Sequence, residues 1–173
     1  RKIMVSRRVI QFKSKLYLNL MEIFIITICN KKEDYSNNLI EKYINLIKKF
    51  YKLSYIDISF KTVKVKKNLY DKEYKKAISL IKPNSTLVAL DENGKHMSSL
   101  DFSKKIKLLA ENNAQIYFLI GGPDGLSDFV KKKADLIVSL SDLTFPHQLA
   151  KIILTEQIYR SICIMNNHPY HRS

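Results

Sequence analysis

A short apolar run in the second half of the chain leads directly into a glycine-rich turn. The run and the turn read Ile116-Tyr117-Phe118-Leu119-Ile120-Gly121-Gly122-Pro123-Asp124-Gly125. Consecutive apolar residues that end at glycine and proline predict a strand buried on both faces. Two more strands of this kind are predicted at Met21–Ile28 and Thr86–Leu90. Because such strands occur mainly in parallel sheets covered by helices, the pattern predicts an α/β fold.

Segments whose apolar residues have helical spacing separate the strands. Helices are predicted at Glu33–Tyr51, at Asp71–Ile81, from a cap at Ser98, Ser99 or Asp101 to Asn112, at Leu126–Lys133, and up to Met165. Further strands are predicted at Tyr55–Val65 and Leu136–Leu140. Thr144 is expected to cap the last helix, with Pro146 in its first turn. The alternation predicts a largely parallel sheet flanked by helices.

The composition is that of one globular domain. Of the 173 residues, 46% are apolar and 27% are charged. We expect residues 21–173 to form a single domain. Residues 1–20 carry six basic and no acidic side chains, and we expect them to be a basic extension outside the fold. No apolar run approaches the ~20 residues of a membrane span, so no membrane partner is expected.

Two cysteines, Cys29 and Cys163, lie in apolar stretches far apart in the sequence. They form neither a disulfide framework nor a metal-binding pattern, which indicates a reducing compartment. We therefore expect the protein in the cytoplasm. The alternative is an organelle, if residues 1–20 are the remnant of a transit peptide.

The chain is strongly basic, with 30 Lys and Arg against 16 Asp and Glu and a net charge of +14. Such an excess suggests a polyanionic partner, because Lys and Arg that neutralise phosphates release counterions. The Lys-rich segment Lys61–Lys76 would hold the phosphates of a nucleic acid. The alternative is a compositional bias of a genome rich in Lys, Ile and Asn codons, without any such partner.

Three polar segments follow predicted strands, at residues 90–95, 121–125 and 139–147. We expect them to meet at the carboxyl edge of the sheet, where α/β folds bind ligands. The Gly121-Gly122 pair matches neither a P-loop nor the dinucleotide-binding fingerprint, and Asp124 would repel a phosphate. An uncharged or cationic adenosine compound is therefore the favoured ligand. The alternative is a set of ordinary tight turns.

The chain end combines two histidines, a tyrosine and an arginine in Asn166-Asn167-His168-Pro169-Tyr170-His171-Arg172-Ser173. Aromatic and guanidinium planes stack on unpaired bases, so a docked tail that touches RNA is expected rather than a frayed end. A metal site at the two histidines is disfavoured because no third ligand is near. His147, in the first turn of the last helix, could orient a loop or a substrate, or serve the structure alone.

Several motifs occur together in the order of a known family. They are Leu90-Asp91-x-x-Gly94-Lys95, Ile120-Gly121-Gly122-Pro123-Asp124-Gly125-Leu126, Ser139-Leu140-Ser141-x-Leu143-Thr144-Phe145-Pro146-His147, Glu156-Gln157-x-Tyr159-Arg160 and Asn167-His168-Pro169-Tyr170-His171-Arg172. This combination resembles the RlmH family of SPOUT methyltransferases, and the resemblance covers Met21–Ser173. The first half departs from the family pattern, because Cys29 and Tyr74 stand where the family usually or often has glycine.

The resemblance implies a homodimer, a deep trefoil knot in the C-terminal half, and transfer of a methyl group from S-adenosylmethionine. The expected target is N3 of a pseudouridine in large-subunit ribosomal RNA, on the assembled ribosome. The expected cofactor-binding residues are Leu90, Gly121, Gly122, Leu140, Ser141, Asp142, Leu143, Thr144 and Phe145. Tyr170 and Arg172, with His168 and His147 behind them, are expected to position the substrate, and no metal is expected.

Two other functions remain open on the residues alone. One is a non-catalytic, basic RNA-binding module with the same fold. The other is a flavodoxin-like nucleotide-binding domain, which would need a phosphate loop that the sequence lacks.

Overall fold

The structure, a computed structural model, describes residues 21–29, 37–59, 70–112, 115–123 and 125–172. The expected basic extension at residues 1–20 lies outside these residues. So do Asp124 and residues 61–69 of the Lys-rich segment Lys61–Lys76.

Strands and helices alternate along the described part of the chain. The strands are β1 (Glu22–Cys29), β2 (Lys52–Ser59), β3 (Thr86–His96), β4 (Gln115–Ile120) and β5 (Leu136–Ser139). The helices are α1 (Asn37–Ile47), α2 (Tyr70–Ser79), α3 (Ser99–Asn112), α4 (Asp128–Lys133) and α5 (His147–Met165). Within the described ranges, no helix has both the length and the apolarity to cross a bilayer.

The five strands form one parallel sheet with the order β2-β1-β4-β3-β5. The first strand lies inside it, since Ile26 of β1 is opposite Ile56 of β2 on one side and Leu119 of β4 on the other. The predicted α/β fold with a parallel sheet flanked by helices is therefore confirmed.

Both faces of the sheet are apolar and each is covered by helices. One face packs against α1, α3 and α5, and the other against α2 and α4. Alternate residues of β4 serve the two layers, with Phe118 in the first and Tyr117 and Leu119 in the second. This two-sided burial is why β1, β3 and β4 are apolar without alternation.

Strand β3 is longer than its apolar residues predict. The expected strand ends at Leu90 and a loop follows, but β3 continues to His96. Its second part pairs with β5 after a register shift between Leu90 and Lys95. Gly94 permits this pairing, because a Cβ atom there would lie 2.6 Å from the carbonyl carbon of Val138. The loop prediction was wrong because a contact across the sheet overrides the weak strand propensity of Asp, Asn and Gly.

Helix α5 also begins differently from the expectation. Its N-cap is Pro146, and no side chain caps it. Thr144 is not the cap, because its hydroxyl donates to Oε2 of Glu92 across 2.8 Å. The hydrogen bond ties the loop before α5 to the extension of β3.

Candidate active site

A cavity of about 800 Å³ opens at the carboxyl ends of β3, β4 and β5. Residues from all three predicted strand-end segments line it, so the expectation that these segments meet is confirmed. The lining comprises Leu90, Asp91, Glu92, Ile120, Gly121, Gly122, Pro123, Gly125, Val138, Ser139, Leu140, Ser141, Leu143, Thr144, Phe145, Pro146, His147 and Ala150. Its volume is in the range of cofactor sites.

The structure gathers eight of the nine expected cofactor-binding residues in this wall. They are Leu90, Gly121, Gly122, Leu140, Ser141, Leu143, Thr144 and Phe145. Asp142 lies outside the wall. Its side chain is 95% exposed, and its Oδ1 is 3.3 Å from Nε2 of His96. That pair connects the loop after β5 to the end of β3.

One wall of the cavity is a tight glycine turn. The amide of Gly125 donates to the carbonyl oxygen of Gly122 across 3.0 Å, and Gly125 has φ +74°. The backbone of Gly121 lies against the far side of this turn, because a Cβ there would be 3.0 Å from the carbonyl carbon of Gly125. Glycine is thus required for backbone conformation at one position and for close approach at the other.

The opposite wall, between β5 and α5, is held in shape by its own serines. The hydroxyl of Ser139 donates to the carbonyl of Ser141 across 2.8 Å, and the hydroxyl of Ser141 accepts the amide of Leu143 at 2.9 Å. These short-range bonds shape the loop locally, in addition to its contacts with Glu92 and His96 of β3. The loop therefore presents a defined backbone to a ligand.

The charges in the wall favour a cationic ligand over a phosphate. No lysine or arginine is among the described lining residues, whereas Asp91 and Glu92 both are. The Asp91 side chain is 8% exposed, and its Oδ2 lies 2.8 Å from Nζ of Lys131. Burial raises the pKa of Asp91, but the hydrogen bonds from Lys131 and from the amide of Asn93 outweigh it and hold that pKa below its ordinary value. Asp91 is therefore ionised at neutral pH.

His147 occupies the cavity wall at the first position of α5. Its Nε2 is buried and makes no hydrogen bond to any residue that the structure describes. A buried polar nitrogen without a partner is rare in folded proteins.

The C-terminal tail, residues 166–172, is docked on α5 rather than frayed. The Tyr170 ring meets the Tyr159 ring edge-on, with centroids 4.8 Å apart. Its hydroxyl donates to Oε1 of Glu156 at 3.1 Å and lies 3.4 Å from the hydroxyl of Tyr43. Burial, with the neighbouring Tyr43 and Glu156, raises the pKa of Tyr170.

Within one chain the tail lies away from the cavity. Tyr170 contacts α5 at Glu156 and Arg160, whereas the cavity touches α5 at His147 and Ala150. At the helical rise per residue, the two sets of contacts are about 9–20 Å apart along the axis. His168 and Arg172 are exposed and do not line the cavity. The structure therefore joins His147 to the expected cofactor residues and separates the other three substrate-positioning candidates from them.

The sequence did not predict the contacts of Asp91 and Glu92 in this site. Both residues belong to the segment 90–95, but their partners Lys131 and Thr144 are distant in sequence.

The described residues contain no group of three His, Cys, Asp or Glu side chains able to hold a metal ion. Of the two cysteines, Cys163 is buried and Cys29 half-buried, and neither forms a disulfide.

Comparisons with known proteins match nearly the whole described chain. A family model described as "Predicted SPOUT methyltransferase" matches residues 21–171. The "Ribosomal RNA large subunit methyltransferase H" of Clostridium acetobutylicum is 38% identical over 159 residues, which cover 88% of this chain and all of the relative. The protein of the same name from Clostridioides difficile is 39% identical over 159 residues, with the same coverage.

A likeness to solved structures concerns the fold alone. A probable methyltransferase from Bordetella pertussis Tohama I superposes with a TM-score of 0.52 at 8% sequence identity, over 87% of this chain and 99% of that chain. The family match, by contrast, runs from the first strand through the cavity and into the tail.

Proposed function

Since this chain belongs to the SPOUT methyltransferase family, we propose that it methylates N3 of a pseudouridine in large-subunit ribosomal RNA, with S-adenosylmethionine as methyl donor. The observation that carries the proposal is the cavity at the ends of β3, β4 and β5, built from the three segments that also carry the family motifs. The two relatives that this chain matches over their whole length are named ribosomal RNA large-subunit methyltransferases.

The described residues fit S-adenosylmethionine. The cavity has the volume for a nucleoside with an amino-acid side arm and contains no lysine or arginine to attract a phosphate. Glu92 in the wall suits a sulfonium cation, whereas the Asp91 carboxylate is already paired with Lys131. Gly121 leaves room for backbone to approach the ligand, and Leu140 to Phe145 supply backbone groups and apolar contacts for the adenine. When bound, the cofactor supplies a methyl group that is already activated by the positive sulfur.

The remaining work of the protein is positioning. A methyl transfer needs the nucleophile and the carbon held about 3–3.5 Å apart and aligned. The apolar side chains of Leu90, Val138 and Phe145 would shield a bound cofactor from water. His147, which lines the cavity, would help to orient the substrate base.

We propose that two copies of the chain complete the active site. In one copy the tail is docked on α5 away from its own cavity, so Tyr170, Arg172 and His168 would act on the cavity of the partner. An apolar surface beside the cavity supports this arrangement, because Leu143 is 71% exposed there and Leu149 lies nearby on α5. Burying such residues against a second copy is favourable.

A deep trefoil knot in the C-terminal half is part of the same proposal. The sheet order supports it: β4 lies between β1 and β3, and β5 pairs with the far edge of β3. The connection from β4 to β5 therefore crosses β3 through α4 on one face of the sheet, whereas α5 packs on the other face. We place the domain at residues 21–173 and the protein in the cytoplasm.

The partner is ribosomal RNA in the assembled ribosome. The net charge of +14 supports a polyanionic target. The non-catalytic RNA-binding module is the competing function. It predicts binding to RNA without methyl transfer.

Methyl transfer from labelled S-adenosylmethionine tests the proposal directly. The acceptors are free large-subunit RNA, the large subunit and the assembled ribosome, and mass spectrometry of the digested RNA identifies the product. We expect N3-methylpseudouridine, formed fastest on the assembled ribosome. Calorimetry that detects RNA binding but no S-adenosylmethionine binding at millimolar concentration would instead establish the non-catalytic module.

A further inference from the structure

Tyr74, in α2, touches the glycine turn of the cavity from outside the cavity. Its side chain is fully buried in the layer between the sheet and α2. Its hydroxyl donates a hydrogen bond to the carbonyl oxygen of Gly125. The same hydroxyl accepts a hydrogen bond from the amide of Gly122, 3.4 Å away. Both glycines line the cavity, whereas Tyr74 does not.

Among the described residues, one direct backbone hydrogen bond joins Gly122 and Gly125, where a narrow antiparallel pair would make two. Gly122 and Gly125 form an isolated antiparallel bridge, in which the amide of Gly125 donates to the carbonyl of Gly122. In a narrow antiparallel pair the two residues exchange both hydrogen bonds directly. Here the second bond passes through an inserted oxygen, because Gly122 donates to the hydroxyl of Tyr74 and that hydroxyl donates to Gly125. The tyrosine therefore sets the separation of the two glycines.

We propose that Tyr74 is a positioning residue for the methyl donor, whose hydroxyl holds the Gly122–Gly125 turn at the width that the cofactor requires. The inference rests on the proposed function, since it takes this cavity as the S-adenosylmethionine site. Without the hydroxyl, the two glycines either lose a hydrogen bond or close into a direct one. Either change moves Gly121, whose backbone already packs tightly against Gly125.

The test compares two variants of the full chain that each lose one oxygen atom. Tyr74→Phe removes the inserted hydroxyl. Tyr117→Phe is the matched control, because Tyr117 is equally buried in the same layer and its hydroxyl lies at the opposite end of β4, where it donates to Oε1 of Gln115 at 3.3 Å. The measurements are the Kd for S-adenosylmethionine by calorimetry, KM and kcat for methyl transfer, and urea unfolding.

We expect Tyr74→Phe to raise the Kd and the KM for S-adenosylmethionine about five- to tenfold, the usual effect of losing one buried hydrogen bond, with kcat unchanged at saturation. Tyr117→Phe should leave Kd and KM unchanged, even if it lowers the urea midpoint as much. An unchanged Kd in Tyr74→Phe would overturn the inference and leave the proposed function intact. No binding by the wild-type chain would overturn both.

A measurement on the wild-type chain covers the case in which Tyr74→Phe does not fold. Hydrogen exchange of the Gly122 amide is followed by NMR without cofactor. The bond to Tyr74 should slow this exchange well below the rate of an unstructured peptide. Exchange at the unstructured rate would mean that the hydroxyl does not hold the turn.

Discussion

The guanidinium carbon of Arg160 lies 4.9 Å from the ring centroid of Tyr170, so a side chain of α5 makes a cation–π contact with the C-terminal tail. The same guanidinium pairs with Oε1 of Glu156 at 2.6 Å, and the Tyr170 hydroxyl donates to that oxygen. One carboxylate oxygen thus joins the helix and the tail. This arrangement holds the tail in a fixed place on each copy of the chain.

Truncation after Asn167 should separate cofactor binding from catalysis. Because the tail contacts α5 well away from the cavity, we expect the Kd for S-adenosylmethionine to stay within about twofold while methylation of the ribosome is lost. Calorimetry and the methyl-transfer assay check this at a temperature where circular dichroism shows the truncated chain folded. Methylation at the wild-type rate would remove the tail from the mechanism.

The ion pair between Lys151 and Asp57 should respond unequally to removal of its two partners. Nζ of Lys151 lies 2.9 Å from Oδ1 of Asp57, and the lysine side chain is 10% exposed against 36% for the aspartate. Asp57→Ala leaves a buried cation without its partner and should lower the free energy of unfolding by about 3 kcal/mol. Lys151→Met leaves a carboxylate that water can reach and should cost about 1 kcal/mol. Urea unfolding at low salt measures both. Equal losses would contradict the assigned burial.

Asp91 should contribute to acid sensitivity. Its pKa in the folded chain is lowered by Lys131 and Asn93 against the effect of burial, so the unfolded chain binds the proton more readily. Its stabilisation is present above the ordinary aspartate pKa and is lost as the pH falls through the lower folded value. Between pH 5 and pH 2, Asp91→Asn should therefore lose less unfolding free energy than the wild type. The comparison uses urea unfolding without cofactor, and parallel curves would exclude this role.

Replacing Gly94 in β3 by alanine should mainly lower stability, whereas the same change at Gly121 in the cavity wall should mainly weaken cofactor binding. At Gly94 the new Cβ would meet the backbone of Val138 at 2.6 Å, so β3 and β5 must separate, and we expect a loss of about 2–3 kcal/mol in unfolding free energy. At Gly121 the nearest contact is 3.0 Å and lies in the cavity wall, so the larger effect should be weaker binding of S-adenosylmethionine.

Gly125→Ala is the control for these two substitutions. Its Cβ would meet no atom within 4 Å, but the residue has φ +74°. We expect only the cost of a left-handed conformation, about 1–2 kcal/mol. A larger loss at Gly125 than at Gly94 would show that backbone conformation, rather than close approach, governs this region. Thermal and urea unfolding with and without cofactor distinguish the three variants.

The apolar runs were enough to predict the fold class, because strands buried on both faces leave an unmistakable continuous pattern. The meeting of the three strand-end segments followed from the rule that parallel strands end at one edge. The extension of β3 to His96 could not be predicted in this way, since it depends on the approach of Gly94 to Val138 across the sheet.

Other details of the site depend on partners that are far apart in sequence. The local sequence predicts Thr144 as a helix cap, but its hydroxyl donates to Glu92, which is 52 residues away in the sequence. Tyr74 differs from the glycine often found at its position in the resembled family, and nothing in its sequence neighbourhood indicates a hydrogen bond to Gly122 or Gly125. The separation of Tyr170 from the cavity depends on where the tail folds back on α5. Local patterns carry no information about such pairings.

The position of β1 between β2 and β4 has a consequence for the synthesis of the protein. Glu22 pairs with Lys52 on one side and with Gln115 on the other. A growing chain can join β1 to β2 early, but the other edge of β1 stays open until β4 has emerged from the ribosome. During that interval an apolar strand edge is exposed to other nascent chains. Newly made molecules should therefore depend on chaperones most strongly before residue 120 is released.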